Sequence, residues 1–286
     1  MTAGDGWPNR APEPAGSVTV AVCQMAPRIG DLAGNRTRIL DEVRAAAGAG
    51  ADVVLLPELA TSGYEFTDPA EAGALAEPAD GPTTEALRRL AAEVNVTAVL
   101  GLPERGPDGD LFNTAVVVDR TGLRGTYRKA HLWARESESF RAGGEPPLVI
   151  DMAWGRLGVL VCYDLEFPEW VRQAAVAGAD LVCAPTNWPD QGRPSGERPI
   201  DVTNVLAAAA TNKIFIAACD RVGEERGTRW VGGSVIAGPD GYPLALADLT
   251  DTEQRLLTRC DLAQARDKTI GGTNDRFEDR RVDLYT

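Results

Sequence analysis

The sequence predicts an α/β fold, and within that class a four-layer αββα sandwich of helix, sheet, sheet and helix. Short, β-branched apolar runs alternate along the chain with segments of helical period, the pattern of αβ units around parallel strands. Several of these runs are apolar at nearly every position, so both faces of each sheet need cover. An internal echo supplies the doubling: Gly50-Ala-Asp-Val-Val-Leu-Leu-Pro57 resembles Gly178-Ala-Asp-Leu-Val-Cys-Ala-Pro185, each closing a helix and opening a buried strand that ends in proline. An echo this short is also a common αβ connection, so it carries weight only beside the other two observations. Two similar halves sharing one core, with the strand ends Glu58 and Thr186 on one edge, are satisfied by four layers.

The elements follow in order. Val18 to Gln24 reads as the first strand, Asn35 to Ala47 carries a helical pattern, and Ala51 to Pro57 is the second buried strand. A loop rich in Thr, Ser, Gly and Pro leads to a helix near Thr83 to Glu93 and a strand at Val96 to Gly101. Phe112 to Val118 and Leu123 to Arg128 form a hairpin, because the turn residues Asp119-Arg-Thr-Gly122 separate two apolar runs. Leu157 to Val161 is short, β-branched and bounded by Gly155 and Asp164, so it is a buried strand. Phe167 to Ala177 then reads as a helix, with Pro168 near its first turn and Glu169 favourably placed against the N-terminal dipole. In the second half a helix from about Pro199 to Thr211 precedes the strand Lys213 to Cys219. Strands near Gly233 to Ile236, Tyr242 to Ala247 and Arg255 to Cys260 surround the turn Pro239-Asp-Gly241.

A formal net charge of -13, with no run of Lys and Arg long enough to make a basic patch, argues against nucleic acid or an anionic membrane surface as a partner. The length of 286 residues suits one large domain or two small ones. No apolar stretch approaches a membrane span. Residues 1–16 have no hydrophobic signal core and read as a disordered leader to a cytoplasmic protein, leaving 17–286 as the folded domain. The cysteines, Cys23, Cys162, Cys183, Cys219 and Cys260, are odd in number and unpaired in spacing, which fits reduced thiols better than a disulfide frame. With no C-x-x-C and a single histidine, His131, the chain offers no cysteine-based metal site. Cys23, Cys183 and Cys219 belong to apolar runs and read as core.

Cys162 is placed differently. It falls at the end of the strand Leu157 to Val161, on a strand-to-helix turn, where open α/β sheets meet their ligands and a helix N-terminus favours a thiolate over a thiol. The plain alternative is a buried structural cysteine. Two more titratable groups follow predicted strands, Glu58 after Leu55-Leu-Pro57 and Lys129 after Gly125-Thr-Tyr-Arg128. Taken singly, such residues are ordinarily solvated or salt-bridged. Together they are chemically complete: a thiolate attacks a carbonyl carbon, a carboxylate takes and returns protons, and a cation stabilises the oxyanion.

Pro57-Glu-Leu59 with Gly63-Tyr64, Tyr127-Arg-Lys-Ala-His-Leu132 and Gly158-Val-Leu-Val-Cys-Tyr-Asp-Leu-Glu-Phe-Pro-Glu169 together resemble the nitrilase superfamily of carbon-nitrogen hydrolases. The resemblance runs from about Val18 to the C-terminus, and three motifs in the right order are far more specific than any one. It implies the αββα sandwich and a Glu-Lys-Cys triad, here Glu58, Lys129 and Cys162. It also implies a second glutamate before a Gly-rich turn, for which Glu136 fits best and Glu138 is the competing assignment. The implied chemistry is acyl transfer from a small-molecule amide through a thioester, releasing ammonia, with no cofactor or metal. Lys129 and the backbone N–H of Tyr163 would hold the oxyanion, and Glu136 would hold Lys129 or orient substrate.

Cys162-Tyr-Asp164 resembles the amidase branches rather than the Cys-Trp-Glu of true nitrilases, while Glu166 departs from the Cys-Tyr-Asp-x-Arg pattern of the small omega-amidase-like members. Trp133 and Trp188 match positions that line acyl pockets in related aliphatic amidases, and Tyr64 lies on the loop after Glu58; ordinary aromatic core is the alternative for the two tryptophans. An N-carbamoyl amidohydrolase, a nitrilase and a non-catalytic binding member are the competing functions. A Cys162–His131 hydrolase is the competing mechanism, against which His131 stands only two residues from Lys129. The tail 271–286 carries Phe277, Leu284 and Tyr285 after a Gly-Gly pair. The resemblance, whose members build dimers often with the C-terminal segment crossing to the partner, implies a homodimer or larger assembly with this tail as an arm; a tail folded back on its own domain is the alternative.

Overall fold

The computed structural model describes residues 16–285; the leader read over 1–16 lies, apart from Gly16, outside them. Two six-stranded sheets form the centre. In the first half β1 (Ser17–Gln24), α1 (Leu32–Gly48), β2 (Val53–Leu55), α2 (Pro69–Leu75), α3 (Pro82–Val94) and β3 (Thr97–Arg105) lay down three parallel strands. The hairpin β4 (Leu111–Asp119) and β5 (Gly122–Arg128) continues them antiparallel.

After the short α4 (Glu136–Ser139), the second half repeats the plan. β6 (Leu148–Met152) pairs antiparallel with β7 (Gly155–Val159), and α5 (Pro168–Val176), β8 (Leu181–Pro185), α6 (Ile200–Asn212) and β9 (Phe215–Cys219) complete three parallel strands. A small hairpin follows, β10 (Glu224–Glu225) with β11 (Thr228–Arg229). Then β12 (Val235–Ala237) and β13 (Pro243–Leu246) extend the sheet antiparallel. The last long strand, β14 (Gln254–Asp261), leaves its own half and pairs along all of β1, from Ser17 with Asp261 to Gln24 with Gln254.

The period of two sorts the side chains between layers. Val20 and Val22 of β1 and Val53 and Leu55 of β2 join a core that runs between the sheets and on to Val171 of α5 and Val205 of α6. Their neighbours Ala21, Cys23 and Val54 face Ile39 and Val43 of α1 and Leu87 of α3. The expected four-layer sandwich is therefore the observed one. Helix ends follow local chemistry: the Asp31 side chain accepts from the Gly34 N–H at the start of α1, Pro82 and Pro168 open α3 and α5, and Asn95 ends α3 in the left-handed region. All five cysteines are free and buried. No helix among the described residues is long and apolar enough to cross a membrane.

Candidate active site

Three strand ends converge at one end of the sandwich. Glu58 follows β2 and is fully buried. Its backbone N–H donates to the Thr186 carbonyl at 3.4 Å, and Asn187 Nδ2 donates to the Glu58 carbonyl at 2.9 Å. The two echoing segments thus meet across the sheets through the residues that follow their prolines. The turn is tight. Leu59 has φ +46°, and a Cβ on Gly101 of β3 would come within 2.6 Å of the Glu58 Cα, so only glycine lets the turn lie on the strand.

Lys129, one residue past β5, is also fully buried, and its Nζ lies 2.7 Å from Glu58 Oε1 and 2.6 Å from Glu136 Oε1. It is Glu136, not Glu138, that meets the lysine; Glu138 is exposed and bridges to Arg135. Glu136 is fastened from three further sides, by the Tyr64 hydroxyl at 2.6 Å, the Trp133 N–H at 3.0 Å and Asn113 Nδ2 at 3.4 Å. Asn113 Nδ2 also donates to Glu58 Oε1 at 2.7 Å. This asparagine of β4 was missed in the sequence, although the polar pair Asn113-Thr114 inside an apolar strand was the available signal.

Cys162 sits three residues past β7, at the start of a 3-10 turn (Cys162–Glu166), with φ +47°. A non-glycine residue in this region is strained by about 1–3 kcal/mol, and the surroundings must hold it there. Asp164 does so. Fully buried, it accepts from the Val161 N–H at 3.0 Å, the Tyr127 hydroxyl at 2.8 Å and the His131 N–H at 3.0 Å, with His131 Nδ1 at 2.7 Å. The cysteine turn is thereby tied to both sides of Lys129. His131 Nδ1 is held by Asp164, and its ring stacks on Phe167 at 3.8 Å between ring centroids. The Cys162 Sγ lies 3.7 Å from the Asn187 carbonyl oxygen, next to the bond that holds Glu58.

Electrostatics assigns protonation states. Burial, reinforced by the Glu58 charge and only partly opposed by Lys129, holds the Cys162 thiol well above the usual range. The expectation of a thiolate favoured by a helix N-terminus is thus corrected: α5 opens six residues later, and burial dominates. Glu58 is pushed up to about 7 by burial, against the pull of Lys129 and with the help of Glu136. Burial alone would lower Lys129, but Glu136 and then Glu58 outweigh it and keep the ammonium charged.

Beside this cluster lies a cavity of about 120 Å³, lined among others by Tyr64, Trp133, Glu136, Phe140 and Trp230. Tyr163 meets Trp133 edge to face, with ring centroids 5.0 Å apart. The first N–H groups of a helical turn have no partner within it, and the Tyr163 N–H takes no backbone acceptor among the described residues. Trp188 is 3% exposed in the core and is not on the cavity wall; the tryptophan beside Trp133 there is Trp230, which no local pattern marks.

The chain matches the family model for carbon-nitrogen hydrolase over residues 19–268. It is 37% identical over 270 residues to a nitrilase of Pyrococcus abyssi, covering 94% of this chain and 99% of that protein. It is 33% identical over 268 residues to an (R)-stereoselective amidase of a Pseudomonas species, covering 93% and 92%. A cysteine-to-alanine variant of an amidase from Nesterenkonia sp. AN1, in complex with butyramide, superposes with a TM-score of 0.77 at 30% identity over 93% of this chain and 95% of that one. In another structure of that amidase (TM-score 0.78, 30% identity, 96% and 98% covered), the acetamide moiety of fluoroacetamide is covalently added at the active-site cysteine. This chain therefore belongs to the carbon-nitrogen hydrolase family, that is, to the nitrilase superfamily. It is a cysteine-dependent hydrolase of the amidase and nitrilase type.

Proposed function

We propose that this enzyme hydrolyses short, uncharged primary amides to a carboxylic acid and ammonia through a thioester on Cys162. The observation that carries the reading is the buried Glu58–Lys129–Glu136 cluster beside a strained cysteine turn. It sets a neutral thiol near a carboxylate whose basicity burial raises, and keeps a charged lysine beside both.

In this mechanism Glu58 takes the Cys162 proton as sulfur attacks the amide carbon. The carbonyl π electrons move to oxygen, where Lys129 and the Tyr163 N–H hold the oxyanion. Collapse reforms the carbonyl and breaks the carbon–nitrogen bond, Glu58 giving its proton to the departing ammonia. Water, deprotonated by Glu58, then attacks the thioester; the acid leaves and the proton returns to sulfur. Glu136 holds Lys129 in place throughout.

The cavity limits the acyl group. Its roughly 120 Å³ is far below the ~300–1,000 Å³ of sites for drug-sized ligands, which favours a chain of a few carbons. Its wall carries Glu65, Asp68, Glu136 and Glu138 against a single cation, Arg135, whose guanidinium is taken by Glu138 at 2.9 Å. With Glu136 paired to Lys129 and Glu138 to Arg135, an acyl group ending in a carboxylate would find no unpaired cation among these wall residues and would face Glu65 and Asp68.

Ammonia release across a panel of amides, N-carbamoyl amino acids and nitriles tests this. We expect kcat/KM for butyramide to exceed that for the monoamide of a dicarboxylic acid of similar length by at least about tenfold. Ammonia appearing only with carbon dioxide from carbamoyl compounds, or only from nitriles, would overturn the amide reading.

A further inference from the structure

We infer that Glu225 is a positioning residue for this reaction, fixing the turn that carries Tyr64 and, through Tyr64, the glutamate that holds Lys129. The inference deepens the amidase reading and depends on it only for one of its two readouts. Glu225 is 4% exposed and belongs to the small hairpin β10–β11, far in sequence from the loop it serves. Its Oε1 accepts the backbone N–H groups of Tyr64 at 2.7 Å and of Glu65 at 2.6 Å. These are two part-buried donors of an irregular loop that has no strand to pair with, and one carboxylate oxygen satisfies both.

The other carboxylate oxygen lies 3.0 Å from Arg221 Nη2. Arg221 is itself 2% exposed, with Nε and Nη1 taking no hydrogen-bond partner, and its guanidinium carbon lies 4.8 Å from the centre of the Trp230 ring. It is held against the carboxylate and the tryptophan face rather than satisfied on every edge. Trp230 in turn meets Tyr64 edge to face at 5.2 Å, and both rings line the cavity. The Tyr64 hydroxyl donates to Glu136 Oε1, the oxygen that also takes Lys129 Nζ. The fit against the loop is close: Gly63 has φ +84°, and a Cβ there would lie 2.7 Å from Glu225 Oε2 and 2.6 Å from the Ile29 Cα. A continuous set of contacts thus runs from Glu225 to the catalytic lysine.

The test uses the full-length enzyme and first removes the opposing charge, because deleting one member of a buried pair would leave the other buried and unpaired. In an Arg221→Met background, Glu225→Gln keeps an acceptor for the two N–H groups, whereas Glu225→Met fills the same space without one. We expect the Gln variant to stay within about threefold of its background in kcat/KM and the Met variant to lose at least about thirtyfold, mainly in kcat, with similar melting temperatures. In a Tyr64→Phe background the gap between Gln and Met shrinks below about threefold, because its route through the hydroxyl is gone. Where the Met chain does not fold, Gly63→Ala in the otherwise native chain is expected to show the same kcat loss and the same dependence on the Tyr64 hydroxyl. Equal activity of the Gln and Met variants, or a gap undiminished by Tyr64→Phe, overturns the inference. Alkylation of Cys162 by iodoacetamide is followed on the same variants and is expected in the same order. If the native enzyme hydrolyses no amide, the amidase reading fails and alkylation still decides the role of Glu225. If amides are hydrolysed and the variants do not differ, the positioning role alone fails.

Discussion

A glutamate that is to take a proton from a thiol near neutral pH must be a stronger base than glutamate in water, and Glu58 is made so by its burial, with the Glu136 charge added and the Lys129 ammonium opposing. Only the ionised carboxylate accepts the proton, so kcat/KM is expected to fall about tenfold per pH unit below about 7, where Glu58 titrates, and to level off above it. Glu136→Gln removes a contribution that raises Glu58, so in whatever activity remains the acid limb moves to lower pH. An acid limb in the native enzyme near the ordinary glutamate value of about 4.3 would contradict this role. At this scale the sequence was informative where a reactive type followed a clear strand: Glu58, Lys129 and Cys162 were each legible as strand-end residues. It could not separate Glu136 from Glu138, since both lie in one short polar helix and only the direction of the Lys129 side chain decides between them. Asn113, Glu225 and Trp230 were missed because their partners lie in other segments of the chain.

The element that most constrains the site is the strand lying beneath the Glu58 turn. Gly101 in β3 admits no side chain there: its Cβ would stand 2.6 Å from the Glu58 Cα and 2.7 Å from the Pro57 carbonyl oxygen. Gly101→Ala is therefore expected to cost about 1–3 kcal/mol of stability, as overpacking does, and to lower kcat at temperatures where the protein is still folded. Gly144→Ala is the control, since nothing lies within 4 Å of its Cβ position. Thermal melts beside kinetics check both; a Gly101→Ala enzyme with native stability and turnover would show that the turn is not set by this contact. Hairpins and crossover helices were legible because turn residues and helical period mark them. The strand β6 and the short α2 were not foreseen. β6 is a sheet edge with mostly half-covered residues, and α2 lies in a segment where Pro69 and Gly73 speak for a loop. The Cys162 strand ends at Val159 rather than Val161, because Leu160 and Val161 already lead into the turn that Asp164 organises.

Across the whole molecule, the short echo between residues 50–57 and 178–185 corresponds to two sheets of the same plan whose central strand ends touch. The return of β14 to pair with β1 was invisible, because strand pairing between chain ends leaves no local pattern. The tail divides in two. Phe277 folds back on its own domain, with Lys268 Nζ 4.7 Å and the Arg172 guanidinium 5.0 Å from its ring, while Val282, Leu284 and Tyr285 are 60–65% exposed. We propose that these last residues are covered by a second copy of the chain. Light scattering is expected to give a dimer or larger assembly for the full chain and a weaker one for a chain ending at Arg281, which keeps Phe277. A monomeric full chain at micromolar concentration contradicts the proposal. The central claim, a common thioester on Cys162, is tested most directly by partitioning turnover between water and hydroxylamine with butyramide and with ethyl butyrate as acyl donors. The account predicts one ratio of hydroxamate to acid for both donors, and loss of both products in Cys162→Ala. Ratios that differ between the donors, or turnover that survives the loss of Cys162, would contradict it.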